Sequence, residues 1–396
     1  MNFLLLGNGF DLHHGLPTSY IDMMRIFRHL TENSDVTYKN VGEILDSYKS
    51  STSDDNNNRL LDYCQTYDEA LKNINWTSDF SWAKLAQNRW YQYFCHTNDK
   101  DLTWIDFELE IKHALECIEQ EYSYEKHKDN NDGGNAVVEF LIPSEKLSKE
   151  KLVSLLYEEL CVFKQAMCEY LHYFVDEMLP NLKASTSFDS VKNAGMIITM
   201  NYTSTFEKLY LPKEIHSTQR IVHYHGRVAD GEGIVVGINS DDSDEYNNGK
   251  KPDTTYSHFK KYHQRINHNF DNEYIKTLQF QAYIDERYKD DPHYTQFYIS
   301  NKLFIIGHSL NESDADAIKK LFSICSNRVV YYHNPQALGE YICNLTRIFG
   351  RCELEDMRQK GKLTFTLLET KLYLKHRRIY YVFHRIHLRK RGHTTV

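Results

Sequence analysis

Apolar residues form short continuous runs at the start and in the second half of this chain, and helical stripes between them. The run at residues 2–6 stops at Gly7. It is too short for a helix and reads as a buried strand. Beyond Pro17, the positions Tyr20, Met23, Met24, Phe27 and Leu30 recur at helical spacing, and a proline suits a first helical turn. The opening therefore predicts a strand, a glycine turn and a helix. Trp104, Phe107, Ile111 and Leu115 mark one face of a second helix. Leu152, Leu156, Leu160, Phe163, Met167, Leu171 and Phe174 predict a long helix over 148–179 that Pro180 ends. The polar stretches "STSDDNNN" and "KDNNDGGN" read as loops.

Strand signals return at 195–200, 220–225, 233–238, 302–307 and 328–333. Helical patterns lie between several of them. Nearly continuous apolar strands alternating with helices predict an α/β protein whose parallel sheet is covered on both faces. The expected organisation is an α/β domain from 1–20 plus 191–370, a large and mostly helical insertion at 21–190, and a basic tail at 371–396. The stretch 239–253 reads as a polar loop, and 255–300 as helical or irregular.

Composition narrows the classes. Hydrophobic residues make up 41% of the 396 positions, with 29 Tyr and only 7 Pro, which predicts a packed core and excludes disorder. Net charge is −8, with eight Lys or Arg and no acid after residue 370, which leaves −16 on the rest. That balance gives no argument for general nucleic-acid binding. Only the tail, where bases mix with aromatics, offers a nucleic-acid or anionic-membrane contact, against the plainer reading of a solvated basic end. The eight cysteines form no C-x-x-C pair, so a zinc ribbon is not expected, and free thiols in a reducing cytoplasm account for them. No run approaches the roughly 20 apolar residues of a membrane span, and the N-terminal run is short for a secretory signal.

Candidate chemistry clusters at strand ends. Gly7 and Gly9 make a G-x-G turn, but Leu12 stands where the dinucleotide fingerprint wants its third glycine, and the next glycine is Gly15. Three more polar motifs follow or end strands: "TMNYTSTFEKLY" from Thr199, "HYHG" ending at Gly226, and "GHSLNESD" from Gly307. Ligands of open parallel sheets bind beyond the carboxyl ends of the strands, so these motifs are expected to converge on one crevice. Metal chemistry has two weaker footholds. His223 and His225 are expected on one strand face, and Asp106, Glu110 and His113 share a helix face. No metal is expected, because neither group has its remaining ligands. Asn201 reads equally as a helix cap, Asp11 as a turn residue, and Asp314 as an acid at a helix start.

The blocks "LLLGNGFDLHHGLPTSY", "WIDFE", "MNYTSTFEKLY", "HYHG" and "IGHSLNESD" resemble the bacteriophage abortive-infection AbiH family. More distantly, Gly7, Gly9, Gly15 and Pro17 fall where sirtuin-like NAD-binding domains carry G-A-G-x-S-x-x-x-G-I-P. Thr199-Met200-Asn201 resembles the sirtuin T-x-N block, His225-Gly226 its H-G block, and Gly307-His308-Ser309 its later G-x-S block. The chain departs from that pattern at Asp11, which replaces a serine, and at Tyr202-Thr203, where an acid is absent.

These resemblances imply a bacterial, cytoplasmic antiphage effector with a Rossmann-like, sirtuin-like sheet that binds NAD or a related nucleotide and hydrolyses its nicotinamide glycosidic bond. They imply His225, Asn201 and Asp11 as the catalytic set. Gly7, Asn8, Gly9, Gly15, Pro17, Thr199, Gly226, Gly307, His308 and Ser309 are implied to contact the nucleotide. A phage-derived trigger and a homo-oligomer are the further partners such a role invites. The competing readings are a metal-dependent nuclease or phosphohydrolase built on the histidine pair, and a non-catalytic nucleotide sensor that signals by assembly.

Overall fold

The computed structural model describes residues 2–52, 58–97, 104–122, 134–145, 147–211, 220–230, 233–239, 254–268, 287 and 301–368. The basic tail, the loop at 240–253 and the segment 269–300 lie outside them, apart from 287.

Strand β1 is Asn2–Leu6, followed at once by helix α1, Asn8–His13. Among the described residues, eight further α-helices precede the next strand: α2 Tyr20–Glu32, α3 Val41–Ser51, α4 Arg59–Leu71, α5 Trp82–Ala86, α6 Arg89–Thr97, α7 Trp104–Tyr122, α8 Gly134–Leu141 and α9 Lys149–Phe174. Then come β2 Met196–Thr199, α10 Thr205–Tyr210, β3 Arg220–His223, α11 Lys261–Asn267, β4 Lys302–Ile306, α12 Ala315–Ile324, β5 Asn327–Tyr332, α13 Pro335–Phe349, α14 Arg351–Gln359 and β6 Leu363–Leu367. All the strand pairings are parallel, in the order β3-β2-β1-β4-β5-β6. β1 is central, with Leu4 between Ile197 and Phe304. The order reverses between β1 and β4. No described helix is long and apolar enough to cross a membrane.

Both faces of the sheet are covered, as continuous apolar strands require. Phe3, Leu5, Ile198 and Ile305 pack with Ile318 and Leu321 of α12 and Leu345 of α13. Leu4, Leu6 and Ile197 face the other way, onto Phe10 of α1, Phe188 and Phe206 of α10. A third core joins α2 to α9 through Phe27, Trp90, Phe94, Phe107, Phe163 and Tyr170, and extends to Ile234, Val236 and Phe259. Each such buried side chain contributes roughly 1.5–3 kcal/mol.

Local physics moves several expected boundaries. α2 starts at Tyr20, not at Pro17, because Ser19 caps it: its Oγ accepts from Asp22 N and donates to Asp22 Oδ2 at 2.6 Å. α9 stops at Phe174, and Pro180 falls in a separate 3-10 turn, Asp176–Asn181. The run 233–238 forms no strand, only an isolated bridge at Ile238. The backbone of Val236, at its centre, is satisfied by the Gln264 side chain, which donates to Val236 O at 2.8 Å and accepts from Val236 N at 3.2 Å. Strand β6, which alternates Leu363, Phe365 and Leu367 with threonines, is an edge strand that the sequence reading passed over.

Candidate functional site

The turns after β3, β2, β1 and β4 lie side by side because the strands do. They open on one cavity of about 830 Å³. Gly7, Asn8, Gly9, Asp11, Asn201, His225, Gly307, His308 and Ser309 all line it. Gly15, Pro17, Thr199 and Gly226 do not. Gly15 closes α1 at φ +77 with its N–H on Leu12 O. Pro17 O accepts from Tyr170 Oη at 2.6 Å, and Thr199 Oγ1 accepts from Asn201 N. Gly226 takes φ +79 in the turn after β3.

The glycines of the first turn serve the protein's own backbone. Gly7 N donates to Ile306 O at 3.1 Å and Gly9 N to Gly307 O at 2.8 Å. A Cβ on Gly7 would stand 2.6 Å from His308 Cα. The third position needs no glycine, because close approach occurs between the β1 and β4 turns and ends before Leu12.

Asp11 is buried in α1. Its Oδ2 accepts from Thr203 Oγ1 at 2.6 Å, and Thr203 accepts in turn from Thr205. No described donor meets Oδ1 with hydrogen-bond geometry. Burial pushes the carboxyl up to about 7, although Thr203, Thr205 and Asn201 pull against it. Asn201 does not cap α10, whose first residue follows Ser204; its Nδ2 reaches across to Gly7 O at 3.2 Å.

His225 sits one residue past the end of the β3–Tyr224 segment, with Nε2 2.9 Å from Asp314 Oδ1. Its Nδ1 is buried without a partner among the described residues. Burial, then the nearby Lys261 charge, lower this imidazole to about 4, against the pull of Asp314. Asp314 also receives Lys261 Nζ at 3.1 Å and faces His308 Nε2 at 3.4 Å. Lys261 in turn reaches Glu108 Oε2 of α7 at 2.7 Å, its own side chain only 2% exposed. Burial works against Asp314's charge, but Lys261 and then His225 outweigh it and hold the carboxyl well below its usual range. Burial raises Glu108 instead, with Lys261 only partly offsetting it. Lys261 is held above its usual value by Asp314 and Glu108, although burial opposes them. Leu310, buried at φ +59, is a strained residue of the kind that costs about 1–3 kcal/mol. Its N–H donates to His308 Nδ1 at 2.9 Å and anchors that turn.

The expected pairing of His223 with His225 does not occur. β3 ends at His223, so strand alternation does not carry through. His223 Nε2 meets Glu207 Oε1 at 2.5 Å while His225 meets Asp314. On α7, Glu110 accepts from Tyr93 Oη at 2.8 Å, and His113 contacts Cys117. Among the described residues no three His, Cys, Asp or Glu side chains are grouped to hold a metal. Sequence reasoning missed Lys261 altogether; Asp314 does stand at a helix start, directly before Ala315, but its carboxylate serves His225 and Lys261 and makes no cap bond. Glu108 was legible only as part of "WIDFE".

The fold and site define an α/β protein with a charged, buried crevice at the carboxyl ends of a parallel sheet. The bacteriophage abortive infection AbiH family model matches residues 3–333, and the chain belongs to that family. Membership implies a role in antiphage abortive infection. Neither a curated protein nor a solved structure matches the chain.

Proposed function

We propose that the cavity binds NAD or a related nucleotide on a Rossmann-like, sirtuin-like sheet and hydrolyses the nicotinamide glycosidic bond as the effector step of abortive infection. The observation that carries this reading is a pair of buried cavity residues, His225 and Asp11, each with a polar atom that no described protein group satisfies. Buried polar atoms are normally paired, so a polar ligand is the natural partner. The strand order is that of doubly wound dinucleotide-binding sheets, whose ligands sit where the order reverses.

Glycosidic cleavage sends the bonding electrons to nicotinamide, which leaves neutral, and develops positive charge on the ribose. Water then adds to the anomeric carbon, giving ADP-ribose and a proton. A neutral His225 accepts a ribose hydroxyl. Asp11, poised near neutrality, faces the developing cation or takes the proton from water. Asn201, tethered through Nδ2, keeps Oδ1 to orient that water. With the Gly7 amide committed to β4 and the Gly9 amide to the turn after it, the diphosphate falls to the side chain of Ser309 and to the second N–H of Asn8 Nδ2, whose first serves Thr18 O.

The test is NAD consumption by the purified full chain, with and without EDTA, beside Asn201→Ala and His225→Ala. The expected result is release of nicotinamide and ADP-ribose, insensitive to EDTA and reduced about 10²–10⁴-fold in His225→Ala. Intact NAD that nevertheless binds would replace this reading with a nucleotide sensor. Cleavage abolished by EDTA would replace it with metal-dependent chemistry.

A further inference from the structure

We infer that Asp314 is a positioning residue for His225: its carboxylate holds the imidazole as the Nε2–H tautomer and leaves Nδ1 as an acceptor reserved for a ligand hydroxyl. The hydroxyl's assignment to a ribose rests on the function proposed above; the tautomer does not.

Three N–H groups converge on this one carboxylate. Lys261 Nζ reaches Oδ1 at 3.1 Å and can only donate. The tautomer of His308 is set by its own turn: Leu310 N–H donates to Nδ1, so the ring proton sits on Nε2, which faces Asp314 Oδ2 at 3.4 Å. With Ser313 Oγ also donating to Oδ2 at 3.5 Å, a carboxylate receiving these donors is an acceptor toward His225 as well. The 2.9 Å contact between Oδ1 and His225 Nε2 therefore places the proton on the imidazole. The other ring nitrogen, Nδ1, is then a lone pair, and it is the atom left without a partner. A lone pair accepts from a hydroxyl and repels phosphate or carboxylate oxygens. The group that completes this corner of the cavity is thus a hydrogen-bond donor, such as a hydroxyl of a sugar diol, and not an anion.

Lys261 extends the arrangement. It spans Asp314 and Glu108, tying the turn after β4 to helix α7. The orientation of His225 thereby depends on the helical segment between β1 and β2 as well as on the sheet.

The test is imidazole ¹H–¹⁵N correlation spectroscopy on the histidine-labelled full chain at neutral pH, with His225 assigned by His225→Gln. The expected signature is an Nε2–H tautomer for His225. Asp314→Asn should lose that fixed tautomer and lower kcat for NAD about 10²-fold or more while KM changes little, as when an orienting carboxylate behind a working histidine is removed. An Nδ1–H tautomer in the unaltered chain would overturn the inference. So would Asp314→Asn with the unaltered spectrum and unaltered kcat. The spectrum of the unaltered chain decides the matter even where Asp314→Asn does not fold. A chain that never cleaves NAD rejects the proposed reaction, and the spectrum still decides the tautomer.

Discussion

Gly9 and Gly307 meet back to back, with room for a side chain on neither. A Cβ on Gly9 would stand 2.7 Å from Gly307 Cα. One on Gly307 would stand 2.2 Å from Phe10 N and 2.5 Å from the Gly9 carbonyl carbon. The two turns are locked by the bond from Gly9 N to Gly307 O. This contact joins the turns after β1 and β4 where the strand order reverses, and both glycines line the cavity.

Gly307→Ala is therefore expected to cost more than Gly9→Ala. Both overpack backbone against backbone, worth roughly 1–3 kcal/mol. Gly307 adds the penalty of φ +66 for an L-residue, about 1–2 kcal/mol. Urea midpoints at constant m-value measure the difference. Equal, small losses would show that the turns can part freely.

Asp11 makes stability depend on pH in an uncommon direction. Its folded pKa, about 7, lies above the ordinary value of 3.8. Between those values the native state holds a proton that the unfolded chain has released, so stability falls as pH rises through that window. Below pH 3.8 the group contributes nothing to the slope, and above pH 7 the full cost is present. The shift corresponds to an upper value on the order of 4 kcal/mol. Asp11→Asn keeps an acceptor for Thr203 and removes the titration. The difference between the two unfolding curves should grow from pH 4 to pH 7 and then level off, with the variant the more stable at pH 8. A flat difference would place the proton elsewhere.

Lys261 is the hinge of a buried ion cluster. Lys261→Met leaves two carboxylates, Glu108 and Asp314, facing each other without their shared cation. Breaking a buried pair from one side costs roughly 3–5 kcal/mol. The double variant Glu108→Gln/Lys261→Met should recover part of that loss, giving a coupling energy of about 1 kcal/mol or more in a double-mutant cycle. Additive losses would mean that Lys261 neutralises Asp314 alone.

The legible part of this molecule is what periodicity controls. Strands such as 2–6 and 302–306 are apolar at every position after the first, because helices cover both faces, and that pattern is written locally. The convergence of Asp11, Asn201, His225 and His308 on one crevice was also readable, since strand ends in a parallel sheet share one edge. What escaped depends on partners distant in sequence. Lys261 looks like one more basic residue in a Tyr- and His-rich stretch until α11 brings it between Glu108 and Asp314. The histidine pair at 223 and 225 looked like a two-ligand site because strand alternation was extended past the strand's last residue. The run 233–238 looked like a strand because its apolar content reports burial and not the identity of its hydrogen-bond partner.

That partner, Gln264, yields the last prediction. Its side chain closes a two-point bond to Val236, donates also to His258 O at 2.9 Å, and accepts Lys164 Nζ at 3.0 Å. Gln264→Leu keeps the volume and strands all four groups. Each orphaned buried group costs about 1–3 kcal/mol, so a loss of several kcal/mol is expected after partial relaxation. The damage should travel one residue further, because Val235 N donates to His225 O at 2.8 Å. Hydrogen exchange distinguishes this from general loosening: the Val235 and Val236 amides should lose protection in Gln264→Leu while those of β1 and β4 keep theirs. Uniform loss across the sheet would mean that Gln264 supports the whole core and not the segment that carries His225.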